Sequence, residues 1–70
     1  MDDVFNMSMR KFLKQVGVTS QQAIEEAVRK AGKDVAGKPL KARMVLTIEG
    51  IDLEHVVEGE ITGPREGFSD

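Results

Sequence analysis

The sequence predicts an α+β domain of order α-α-β-β, a helical hairpin packed on one face of an antiparallel β-hairpin. Three observations carry this expectation. Apolar residues recur at helical spacing as far as Ala31 and alternate with period two from Leu40, and the pattern changes across the charged, glycine- and proline-containing run KDVAGKP at 33–39.

The first helix is expected over Asp3 to Val16. Phe5, Met9, Phe12, Leu13 and Val16 fall on one stripe, with Arg10, Lys11 and Lys14 on the opposite side. Asp2 and Asp3 stand where the positive end of the helix dipole favours acids. Gly17 is placed to end the helix in a left-handed conformation. Thr19 followed by Gln22 matches a capping box, with Val18 and Ala23 as a modest hydrophobic staple, so a second helix is expected from Ser20. Its apolar face is Ile24, Ala27, Val28 and Ala31, and Glu25 and Glu26 precede Arg29 and Lys30 by one helical turn in the favourable orientation. Gly32 closes it. The short link at 17–19 makes the two helices an αα-hairpin.

Strand periodicity follows. Leu40, Ala42, Met44, Leu46 and Ile48 share one face of the first strand, and Leu53, His55, Val57, Gly59 and Ile61 share that face on the return. A two-residue loop at Gly50-Ile51 pairs Arg43 with Glu58, Lys41 with Glu60 and Val45 with Val56 on the other face, contacts each worth roughly 0.2–1 kcal/mol over alanine pairs. The same register sets Glu49 against Asp52 beside the turn. A loop at Glu49-Gly50 shifts the partners by two and preserves the faces. Residues 1–62 then form one domain, and GPREGFSD, residues 63–70, is expected as a flexible tail.

Seventy residues bury a small core, and this chain has no cysteine to supplement it with a disulfide or a thiolate metal site. A partner subunit is the remaining supplement. A lone two-stranded hairpin is marginal in water and leaves two open edges, so a homodimer is expected, with a four-stranded sheet across it as one arrangement. Residues 1–43 carry nine Lys or Arg against five acids, and 44–70 one Arg against seven, within a net charge of -2. Neither a signal peptide nor a run long enough to span a bilayer is visible, which points to a cytoplasmic protein without membrane contact.

The run DVFNMSMRKFLKQVGVTSQQAIEEAV, with VLTIEG and EGEI, resembles a family of short bacterial proteins of unknown function over Asp3 to Ile61. The resemblance implies no activity and supplies no catalytic or ligand residues.

Read one by one, the chemistry-bearing residues point away from an enzyme. His55 is the only histidine and lies on the apolar strand face, with no second histidine or cysteine to complete a metal site and no oriented acid to make it a catalytic base. Glu49, Asp52, Glu54, Glu58 and Glu60 form an acidic strip, but strand residues two apart do not converge on one cation. Ser8, Ser20 and Ser69 lack a nucleophile-elbow motif, and Gly37-Lys38 lacks the spacing of a phosphate loop. The expectation is therefore no catalytic, metal or cofactor residues and no cofactor.

Two binding readings remain. Met1, Val4 and Met7 fall off the main helical stripe, and Val45 and Val56 lie on the outer sheet face. Of these, Val4, Met7, Val45 and Val56 are the candidate interface of a homodimer or another protein partner. Val35 and Phe68 are further apolar residues outside the regular elements. The alternative is nucleic-acid binding by a helix-turn-helix-like segment, 9–30, with Arg10, Lys11 and Lys14 on phosphates and Gln21 and Gln22 near base edges. Glu25 and Glu26 behind the start of the second helix, and the acidic balance of the whole chain, oppose it.

Overall fold

The computed structural model describes residues 2–65, which form one long α-helix, a short 3-10 helix and an antiparallel β-hairpin. The chain is α+β. It divides into two compact units, Met1–Lys30 and Ala31–Asp70.

The first unit is helical throughout. The helix α1 runs over Asp3–Ala31, 29 residues. Asp2 caps it: its Oδ1 accepts the Phe5 backbone N–H at 2.7 Å, and its carbonyl accepts that of Asn6 at 3.2 Å, satisfying donors that the first turn otherwise leaves unpaired. Arg29 and Lys30 stand in the last turn, where the dipole favours cations.

The expected helical hairpin is not formed. No turn interrupts α1 at 17–19, so the order α-α-β-β becomes one helix, a 3-10 helix and two strands. Gly17 lacks the positive φ of a helix-ending glycine, a conformation adopted by Gly32, Gly37 and Gly50. Thr19 does not cap either: its Oγ1 donates to the Gln15 carbonyl one turn back, at 2.8 Å. Two physical reasons favour the unbroken helix. A glycine inside a helix costs only about 1 kcal/mol relative to alanine. An eleven-residue repeat also runs through both segments: Phe5, Met9 and Phe12, then Val16 and Ala23 with the polar Ser20 between them, then Ala27 and Ala31, a period at which a near-straight helix keeps one stripe. A turn at Gly17 would break that phase.

Gly32, at φ 61°, ends α1 and begins the 3-10 helix Gly32–Val35. This occupies the first half of the segment expected as a loop. Strand β1, Pro39–Thr47, then pairs antiparallel with β2, Glu54–Thr62. The register is the one obtained by counting outward from Gly50-Ile51: Leu40 opposes Ile61, Arg43 opposes Glu58, Val45 opposes Val56 and Leu46 opposes His55. The connection is longer than the expected two-residue loop: the strands end at Thr47 and Glu54, leaving 48–53 between them, with Gly50 at a positive φ of 94°. Regular pairing stops at Thr47 and Glu54, so Glu49 and Asp52 stand outside the ladder and their like charges are not held face to face.

The far end of the hairpin is pinned to the 3-10 segment. Gly63 N–H donates to the Lys38 carbonyl at 2.9 Å, continuing the ladder, and Gly37 N–H is shared between the carbonyls of Gly63 and Pro64. Gly63 is the buried residue of this junction. A Cβ there would stand 1.9 Å from the Val35 carbonyl oxygen, so only glycine lets the two backbones approach this closely. The expected tail therefore begins in an ordered junction, and residues 66–70 of it lie outside the described residues. Among the described residues no helix is long and apolar enough to cross a membrane.

Candidate interaction surfaces

The surface features follow from which side chains each element leaves uncovered. On α1, Val4 and Met7 are 77% and 70% exposed and lie one turn apart on the side opposite the main stripe. Met1 and Phe68 lie outside the described residues. On the hairpin, the ladder sets Val45 and Val56 directly opposite each other, 42% and 40% exposed, as one apolar island on the outer face. Salt-paired neighbours border it: Arg43 Nε lies 3.5 Å from Glu58 Oε2, and Lys41 stands opposite Glu60.

The main stripe is also open. Phe5, Met9, Phe12, Leu13 and Ile24 are each between 40% and 50% exposed, and no residue of α1 is buried. Amphipathic spacing identifies a face that needs covering and carries no signal of what covers it. The hairpin behaves alike. Met44, Val57 and Ile61 of its apolar face are exposed, while Leu40, Ala42 and Leu46 are half-buried.

The chemistry-bearing residues do not assemble. His55 stands opposite Leu46, as the register requires, and is exposed. Glu54, Glu58 and Glu60 alternate along β2, and among the described residues no three His, Asp or Glu groups are placed to share a metal ion. Ser8 donates to the Phe5 carbonyl at 3.0 Å, a bond internal to the helix. A shallow groove crosses the hairpin where the Ala42–Gly59 step lacks bulk, lined also by Lys41, Arg43, Glu58 and Glu60. Its charges are matched strand to strand, so it presents no single sign of field to a ligand.

The residues proposed for nucleic acid are gathered by the unbroken helix in a way the helix-turn-helix reading did not anticipate. Segment 9–30 contains no turn, so no recognition helix stands apart from a supporting one. Instead Lys11, Lys14, Gln21 and Gln22 share one face of α1 with Arg10 on its flank, and Glu25 lies in the middle of that face, accepting a hydrogen bond from Gln21 Nε2 at 3.3 Å.

A family model described as a family of unknown function, DUF6494, matches residues 1–64. The chain belongs to this family. The match spans α1, the 3-10 helix and the hairpin through the Gly63 junction. No curated protein and no solved structure matches the chain.

Proposed function

We propose that this member of the family is a non-enzymatic protein-interaction domain that acts as a homodimer in the bacterial cytoplasm. One observation carries the reading: large apolar side chains stay exposed on both faces of α1 and on both faces of the hairpin. Scattered exposed apolar residues are ordinary, but contiguous patches on so short a chain mark surfaces that another chain covers. Val4, Met7, Val45 and Val56 are the contacts assigned to that role.

Charge discriminates between the two sheet edges. Joining two β2 edges antiparallel would set Glu54, Glu58 and Glu60 among their own copies, which is repulsive. Two β1 edges allow Lys41 to face Thr47 and Arg43 to face Val45, so a four-stranded sheet across the dimer would form through β1.

Size-exclusion chromatography with light scattering tests the reading at tens of micromolar. The wild-type chain is expected at twice its 7.7 kDa mass, and a V45E/V56E variant is expected to shift toward monomer or lose thermal stability. A variant unchanged in both would remove Val45 and Val56 from the interface.

Nucleic-acid binding is the second reading, favoured by the gathering of Lys11, Lys14, Gln21 and Gln22 on one helix face and opposed by Glu25 among them. Its signature is an affinity that falls steeply with salt and is lost in the R10E/K11E/K14E variant. Absence of binding to duplex or single strands at low salt would end it.

A further inference from the structure

We propose that α1 pairs antiparallel with α1 of a second copy of this chain, centred near Val18, so that the bulky half of each stripe lies over the small half of the other. The inference rests on the homodimer reading and moves the contact made by α1 to the main stripe, on the side opposite Val4 and Met7. Its starting point is an asymmetry along the exposed stripe: Phe5, Met9, Phe12 and Leu13 fill the N-terminal half, whereas the C-terminal half centres on Ser20, Ala23, Ala27 and Ala31, with Ile24 and Val28 on its edge.

Helix separation depends on the side chains at the contact, within about 8–10 Å. A parallel pair would stack each phenylalanine on its own copy at one end and alanine on alanine at the other, and no single separation suits both. Turned antiparallel about Val18, the stripe sets Phe5 at the level of Ala31, Met9 at Ala27, Phe12 at Ile24, Leu13 at Ala23 and Val16 at Ser20. Apart from Phe12 at Ile24, every level then combines a bulkier residue with a small one.

Electrostatics favours the same orientation. The antiparallel pair opposes the two helix dipoles, whereas a parallel pair aligns them. The area suffices as well. At about half exposure, Phe5, Met9, Phe12, Leu13 and Ile24 offer on the order of 900 Å² between two copies, and the remaining stripe and its polar flanks bring the contact into the range of roughly 1,200–2,000 Å² typical of stable interfaces.

The chain has no cysteine, so single-cysteine variants of the full chain report the pairing directly. M9C and A27C are prepared separately, checked by circular dichroism for wild-type helix content, and oxidised alone and after mixing and equilibration. In the antiparallel pair the two positions meet, whereas a position and its own copy stand about 27 Å apart, far beyond disulfide reach. The mixture is expected to cross-link at least tenfold more than either variant alone. Cross-linking of each variant with itself, at or above the level of the mixture, would establish a parallel pair and overturn the proposal. A dimer by light scattering without the mixed disulfide would assign the contact to another surface, overturning the proposal and leaving the homodimer reading in place. A wild-type monomer would overturn both.

Discussion

Gly17 and Gly63 are both single hydrogens in place of side chains, and the structure gives them opposite consequences. Gly17 sits inside α1 with nothing within 4 Å of where a Cβ would stand, so G17A adds a better helix former in open space. We expect it to stabilise the chain by about 0.5–1 kcal/mol in urea denaturation followed by circular dichroism. Were Gly17 the left-handed end of a shorter helix, the same change would destabilise. Gly63 has the Val35 carbonyl oxygen 1.9 Å from the corresponding position, so G63A must push the 3-10 segment off the hairpin. The expected loss is roughly 1–3 kcal/mol, within the range of steric substitutions that force backbone shifts. Gly59 provides the control: it lies in a strand with open space around it, and G59A should match or slightly exceed the wild type in stability.

At the level of elements, the hairpin was legible in the sequence and the continuity of the helix was not. Alternation fixes which residues share a face, and matching Arg43 to Glu58 and Lys41 to Glu60 selects one register among those that preserve the faces. These are cross-strand signals, and they agree with one another. At 17–19 the local signals disagreed with the longer one. A glycine and a threonine suggested a C-terminal end and a new cap, while the eleven-residue phase of the stripe ran through both, and continuity of the apolar face outweighs about 1 kcal/mol of glycine propensity. The exposure of apolar residues could be read only in part. Val45 and Val56 were identifiable because alternation puts them outside, whereas the openness of Phe5 and Phe12 depends on tertiary placement that periodicity does not encode. The register itself is testable through its charges. R43E sets a third acid among Glu58 and Glu60 and should lower stability by roughly 0.5–1 kcal/mol, and the swap R43E/E58R should recover most of it. The pair is solvent-exposed, so 1 M salt should shrink both effects.

For the whole molecule, the central fact is a chain of 70 residues with apolar surface on every element and no cysteine. A small domain reaches stability through disulfides, a metal or association. Association with a second copy is the supplement proposed above, on the ground of the exposed apolar stripe. The proposed homodimer couples folding to assembly: the unfolding midpoint should rise with protein concentration, because a dimer is favoured over two unfolded chains by mass action. F12E, which places a charge on the open stripe of α1, should lower the midpoint and abolish its concentration dependence. The most direct test of the central claim is the mass of the untagged wild-type chain by sedimentation equilibrium from one to one hundred micromolar. Twice 7.7 kDa at the upper end, falling toward 7.7 kDa on dilution or in F12E, is the predicted result. A stable, cooperatively folded species of 7.7 kDa at every concentration would contradict it.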